Sequence, residues 1–152
     1  MQLLRHTLLN LMLGNFFGGS TFELSSLERA IQRASKAMLM EQRILIVEDE
    51  PLVAMSLKEM VDEWFTANVV VEPSVAAAKK ALRGPFDFAF LDVQVTNGKT
   101  FEIAHMLERK SVPFVFVSAS PQNQLPSDLH TVPFISKPFS SAQIERVLRA
   151  LP

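Results

Sequence analysis

From residue 43 onward the chain alternates short apolar runs with stretches of helical periodicity. Residues 43–48, 68–71, 87–92, 113–118 and 132–136 are short and apolar, and they predict five buried strands. Pro51 suits the first turn of a helix, where its missing N–H is not needed, and Val53, Leu57, Met60, Val61 and Trp64 mark the core face of that helix. Ser74 is placed to cap a short Ala-rich helix reaching Leu82, and Gly84 and Pro85 then turn the chain. After the turn at Asn97 and Gly98, a helix to about Lys110 directs Phe101, Ile103, Ala104 and Leu107 inward. A last helix over residues 140–151 directs Ile144, Val147, Leu148 and Leu151 inward. Continuous apolar strands joined by helices predict an α/β fold, a parallel sheet covered on both faces. Residues 119–131 break the alternation. They hold Pro121 and Pro126 with little apolar periodicity, so the crossover there is expected to be short and irregular.

Residues 1–42 follow a different pattern and read as an N-terminal helical extension, separate from a domain at 43–152. One helix is predicted over about residues 2–13, stopped by Gly14. Arg5 and His6 followed by Leu8–Leu13 are similar to a secretory signal, but the apolar stretch is short and Asn10 interrupts it. A second helix opens with Ser25 and Glu28, spaced so that each side chain satisfies a free backbone N–H near the other. Leu24, Leu27, Ile31, Ala34 and Met38 then form one apolar stripe. Three readings stay open: a helix packed on its own domain, a dimerisation or partner-docking helix giving a homodimer, and a leader preceding a true start at Met38 or Met40.

Composition narrows the function. The 152 residues are 48% hydrophobic, enough for one well-buried core. The net charge of −1, with no basic stripe, argues against nucleic acid as a partner. With no cysteine there is no disulfide or thiolate metal site, and a reducing, cytoplasmic setting is expected. No apolar run reaches the roughly 18 residues of a membrane span, so no membrane partner is expected.

The chemistry lies at the strand ends. The first strand ends in Glu48 and Asp49, the third in Asp92, the fourth in Ser118, and the fifth runs to Lys137 and Pro138. In a parallel α/β sheet the carboxyl ends of the strands share one edge, and ligands bind there. Acid, acid, hydroxyl and amine at four strand ends point to one site built from four segments. Three carboxylates in a small space repel unless a cation neutralises them or one takes a proton, and Mg²⁺ suits oxygen ligands and phosphate.

These markers, with Ala119 after Ser118 and Phe139 after Pro138, resemble the receiver domain of two-component response regulators over residues 43–152. The resemblance implies a flavodoxin-like, doubly wound five-stranded parallel sheet in strand order 2-1-3-4-5. The chain ends shortly after the last helix, so a stand-alone receiver is expected. Phe116, Val117, Ser118, Ala119 and Ser120, beside the degenerate fourth crossover, are also similar to the alphaproteobacterial "FATGUY" receivers, although Ala119 stands where that motif has Gly. That second resemblance implies an HWE-type sensor histidine kinase as partner.

By resemblance, Asp92 accepts the phosphoryl group and is the phosphorylation site. Asp49, Asp92 and the carbonyl of Gln94 ligate Mg²⁺, and Glu48 acts through water. Lys137 pairs with a phosphoryl oxygen, and the Lys137–Pro138 bond is expected to be cis. Ser118 donates to the phosphoryl group; without one its hydroxyl is expected to lack an acceptor and point elsewhere. Phe134 occupies the aromatic switch position, where it lacks the hydroxyl of the usual tyrosine. Gln94 and Ser120 flank the path of a hydrolytic water. None of His6, His105 and His130 has metal-ligand spacing.

The expectation is a phosphoacceptor in a two-component phosphorelay. It would be charged by a sensor histidine kinase or a phosphotransfer protein, and would signal to a target or drain phosphate. It is no enzyme beyond catalysing its own phosphorylation and dephosphorylation. The alternative is a pseudo-receiver, a protein-interaction module that works without phosphorylation. A flavin or nucleotide enzyme is disfavoured, because Glu48, Asp49, Glu50 and Pro51 stand where a Gly-rich phosphate cradle would be. An Asp-nucleophile hydrolase would want a second acid where Gln94 stands.

Overall fold

The computed structural model of the protein describes residues 42–64 and 67–150. The helices expected over residues 2–13 and from Ser25 to Met38, and the inward place expected of Leu151, lie outside them. Strands β1 (Gln42–Val47), β2 (Ala67–Glu72), β3 (Phe88–Leu91), β6 (Phe114–Ser118) and β7 (Phe134–Ser136) form one parallel sheet in the order β2-β1-β3-β6-β7. Counting these five alone, the order is the expected 2-1-3-4-5. Strands β4 (Gln94–Val95) and β5 (Gly98–Lys99) form a small antiparallel hairpin that the hydrophobic pattern does not announce. The helices are α1 (Pro51–Trp64), α2 (Val75–Ala81), α3 (Phe101–Arg109) and α4 (Ser141–Arg149). No helix among the described residues is long and apolar enough to cross a membrane.

Both faces of the central strands β1, β3 and β6 are buried, which is why these strands read as continuous apolar runs. Side chains alternate along a strand, so each strand feeds two cores. Ile44 and Ile46 of β1, Phe88 and Phe90 of β3, and Val115 and Val117 of β6 pack with Leu57 and Val61 of α1 and Ile144 and Leu148 of α4. Leu45, Val47, Ala89, Leu91, Phe114 and Phe116 face the other way, toward Ala78 of α2 and Ile103, Ala104 and Leu107 of α3. The phenylalanines thus sit on opposite faces in β3 and β6. Each pair meets edge to face, with ring centroids 5.0 Å apart for Phe88–Phe90 and 5.7 Å for Phe114–Phe116.

Ser74 caps α2, its side chain accepting from the Ala77 N–H at 3.2 Å. Residues 119–131 hold no α-helix. Two short 3₁₀ turns, Gln122–Gln124 and Ser127–Leu129, each follow a proline. Leu125 and Leu129 between them still cover the sheet, and both are buried. His130 Nε2 donates to the Leu125 carbonyl at 2.8 Å, and His105 of α3 pairs with Asp128 at 2.9 Å, so both histidines tie this segment down.

One core assignment needs correction. Trp64 is not inside: it is 39% exposed, and Ala54 takes a buried place on α1 instead. The indole stands at the last residue of α1, where Nε1 donates to Ser141 Oγ at 3.2 Å and the Arg149 guanidinium lies 5.5 Å from the ring. It joins α1 to α4 at the surface.

Candidate functional site

The chain runs from β1 outward to β2, then returns to lay β3 against the other side of β1. The reversal opens a crevice at the carboxyl ends of β1 and β3, the usual ligand position in this class of sheet. Register brings the ends level, because Val47 pairs with Leu91, Leu91 with Phe116 and Phe116 with Phe134. Backbone bonds continue past the strands: Asp92 N–H donates to Val47 O at 2.8 Å and Lys137 N–H to Ser118 O at 2.9 Å. Four residues far apart in sequence therefore converge.

Asp92 is the centre. Its Oδ2 accepts from Lys137 Nζ at 2.6 Å, and its Oδ1 from Ser118 Oγ at 2.5 Å and the Gln94 N–H at 3.3 Å. Lys137 Nζ also donates to Glu48 Oε2 at 2.5 Å, and Glu48 Oε1 accepts from the Glu50 N–H at 3.1 Å. Glu48 is buried, 3% exposed, whereas Asp49 is exposed. The Lys137–Pro138 peptide bond is cis, as the resemblance to receiver domains implies.

Burial pushes the Glu48 carboxyl above its ordinary value, and this outweighs the lowering influence of Lys137. Burial alone would lower Lys137, but its hydrogen bonds to Asp92 and Glu48 prevail and raise it, so the ammonium stays charged.

Carboxylate oxygens of Glu48, Asp49 and Asp92 lie within 4.8 Å of one another. Against these three acids stands a single ammonium, Lys137, and among the described residues Asp49 has no cationic partner. The cluster keeps two uncompensated negative charges and an all-oxygen donor set, which fits a hard divalent cation such as Mg²⁺.

Ser118 differs from expectation. Its hydroxyl already has an acceptor, Asp92, and points into the site; it also accepts from the Ser120 N–H at 3.2 Å. The close approach of β3 and β6 gives the hydroxyl a carboxylate partner. Phe134 is half-buried against the core that holds Phe114 and Phe116. The Gln94 side chain is exposed.

Two threonines escaped the sequence reading. Thr100 is fully buried, and its Oγ1 donates to the Asp92 carbonyl at 2.6 Å. Thr96 Oγ1 donates to Asp49 Oδ2 at 3.1 Å. Thr100 was detectable as a capping-type residue just before an apolar helix. It stands at that position, but its hydroxyl serves the Asp92 loop and not the helix.

A sheet in this order with an acidic carboxyl edge is a doubly wound module of the flavodoxin-like class. Comparison with known proteins narrows it. A family model described as the response regulator receiver domain matches residues 44–149. The chain is similar to the phyllosphere-induced regulator PhyR of Methylorubrum extorquens, 33% identical over 115 residues, covering 72% of this chain and 43% of that protein. It is also similar to the transcriptional regulatory protein BtsR of Escherichia coli, 30% identical over 115 residues, covering 72% and 47%. It thus spans just under half the length of these curated relatives. The solved structure of SdrG from Sphingomonas melonis Fr1 is 33% identical with a TM-score of 0.62, covering 73% of this chain and 96% of that one. A CheY-like receiver domain from Methylobacillus flagellatus has a TM-score of 0.65 at 24% identity, covering 74% and 99%, and shows the fold. The chain belongs to the response regulator receiver domain family, the signalling module of two-component systems.

Proposed function

We propose that this protein is a phosphoacceptor that takes a phosphoryl group onto Asp92 from a sensor histidine kinase, of HWE type, or from a phosphotransfer protein. The observation that carries the reading is the Asp92 carboxylate held between one ammonium and one hydroxyl, at 2.6 and 2.5 Å, beside two further acids. An Asp92 oxygen attacks phosphorus, an O–P bond forms, and the N–P bond to the donor imidazole breaks. Lys137 keeps its proton and stabilises charge on the equatorial phosphoryl oxygens, and Ser118 turns its hydroxyl from Asp92 to one of them. Asp49, Asp92 and the Gln94 carbonyl would hold Mg²⁺, which neutralises phosphoryl charge when bound. Glu48, with both oxygens already hydrogen-bonded, would act through water. Transfer of the Ser118 hydroxyl to the phosphoryl group would reset Phe134 and the neighbouring 119–131 segment, altering the face offered to a target.

A donor must bring its phosphohistidine to Asp92. Leu52 and Met55 of α1 are 72% and 54% exposed. Leu52 lines a groove of about 530 Å³ with Val53, Pro138 and Phe139, reaching Lys137. An exposed Leu52 in a groove that reaches Lys137 suits a helical partner.

The closed network around Asp92 also favours a second reading, a pseudo-receiver that docks partners without phosphorylation. One experiment separates them: the protein with Mg²⁺ and beryllofluoride or acetyl phosphate, followed by NMR. The phosphoacceptor reading expects large shifts around Asp92, Ser118 and Phe134 that vanish in Asp92→Ala. A wild type that does not respond would leave the pseudo-receiver.

A further inference from the structure

The hairpin between Asp92 and α3 carries a side chain that the phosphoryl-transfer reading does not use. Thr96 lies in the turn between β4 and β5, and its hydroxyl donates to Asp49 Oδ2 across 47 positions of sequence. Its place is fixed from several sides. Gln94 pairs with Lys99 and Val95 with Gly98, and Val95 is buried in the core. The chain reverses at Asn97 and Gly98, both with positive φ (69° and 133°). The backbone of Thr96 bridges to Ser74, the residue that caps α2. Thr100 closes the base, its N–H donating to Val93 O at 3.1 Å and its hydroxyl to Asp92 O. The Thr96 hydroxyl therefore reaches Asp49 from a braced frame.

Asp49 needs such an orienting contact. It is exposed and, among the described residues, has no cationic partner. An exposed carboxylate on a turn samples several rotamers, and each must be given up when it ligates an ion. The bond from Thr96 engages Oδ2, in a carboxylate that lies beside Glu48 and Asp92. Donors that orient a ligating carboxylate typically change metal affinity by 10–100-fold when removed.

We infer that Thr96 is a positioning residue for the divalent cation: its hydroxyl holds the Asp49 carboxylate in the orientation that binds Mg²⁺, and so couples the β4–β5 hairpin to the metal. The inference rests on the reading of Glu48, Asp49 and Asp92 as a Mg²⁺ site. It also makes the hairpin a metal sensor, because coupling is reciprocal: if Thr96 aids the ion, the ion tightens Thr96.

The test is calorimetric titration of the full chain with MgCl₂ alone, for wild type, Thr96→Val and Thr96→Ser, with melting curves in chelator. Thr96→Val keeps the shape and loses the donor. Its Mg²⁺ affinity should fall about tenfold, at the lower end of such effects because the site is exposed. Its stability in chelator should stay within about 0.5 kcal/mol of wild type, as for an ordinary surface change. Thr96→Ser should restore the affinity, and the Thr96 amide should shift on Mg²⁺ addition in wild type. Wild-type affinity in Thr96→Val overturns the inference and leaves the metal site standing. An affinity loss that Thr96→Ser does not rescue, accompanied by a lower melting point, makes Thr96 merely structural and overturns it too. A wild type that binds no Mg²⁺ removes the metal site and the inference together.

Discussion

Lys137 neutralises Asp92 and Glu48 at once, and the second partner is almost wholly buried. Removing one member of a buried ion pair strands the other charge, at a cost of about 3 kcal/mol for a site with some solvent access. Lys137→Met should therefore abolish phosphorylation and lower stability by about that amount at neutral pH, measured by urea unfolding in chelator. The loss should depend on pH. The Glu48 carboxyl is raised in the folded state by burial, so its contribution is full below its ordinary value near 4.5 and is lost as pH climbs through the folded value. Without Lys137 the folded value rises further, so the variant should regain stability on acidification more steeply than wild type. A pH-independent deficit would contradict this. Gln94 belongs to a later step in the proposed reading: its exposed side chain lies two residues past Asp92, in the expected path of a hydrolytic water. Gln94→Ala should change the decay rate of phosphorylated protein, read by phosphate release after removal of the donor, and an unchanged rate would exclude Gln94 from hydrolysis.

At the scale of elements, the proline-broken crossover remains part of the core. Leu129 is fully buried although it sits in a 3₁₀ turn, and Leu125 beside it is nearly so. Leu129→Ala should cost about 2–4 kcal/mol by emptying that space, readable in the denaturation midpoint, whereas a loose flap would lose almost nothing. The sequence revealed this segment's irregularity through Pro121 and Pro126, but not how it would still cover the sheet. The strands were legible because burial on both faces leaves no polar alternation. Glu48, Asp92, Ser118 and Lys137 were legible because each interrupts or follows such a run. Trp64 was misread because periodicity assigns a residue to a face and says nothing of depth at a helix end. Thr96 and Thr100 were hidden for a different reason. Their hydroxyls serve Asp49 and an Asp92 carbonyl, and such contacts depend on how a two-by-two hairpin folds back, which has no period to detect.

Across the whole domain, two cores share one sheet and the polar site crowns its carboxyl edge. A ligand that binds only the folded state stabilises it by mass action. At ten times its Kd, Mg²⁺ should add about 1.4 kcal/mol, several degrees in melting temperature for a domain of this size. Asp49→Asn should lose most of that response, and a wild-type melting point indifferent to Mg²⁺ would argue against the site. The surplus of carboxylates over ammonium has a further consequence. A domain that keeps two negative charges in reserve for a visitor is under tension while it waits. In the proposed reading, relieving the tension also removes a metal ligand, and Asp49→Asn should melt higher than wild type in chelator. Selection for signalling and selection for toughness would then pull this edge of the sheet in opposite directions, and a search for hardier variants of this protein would tend to return silent ones.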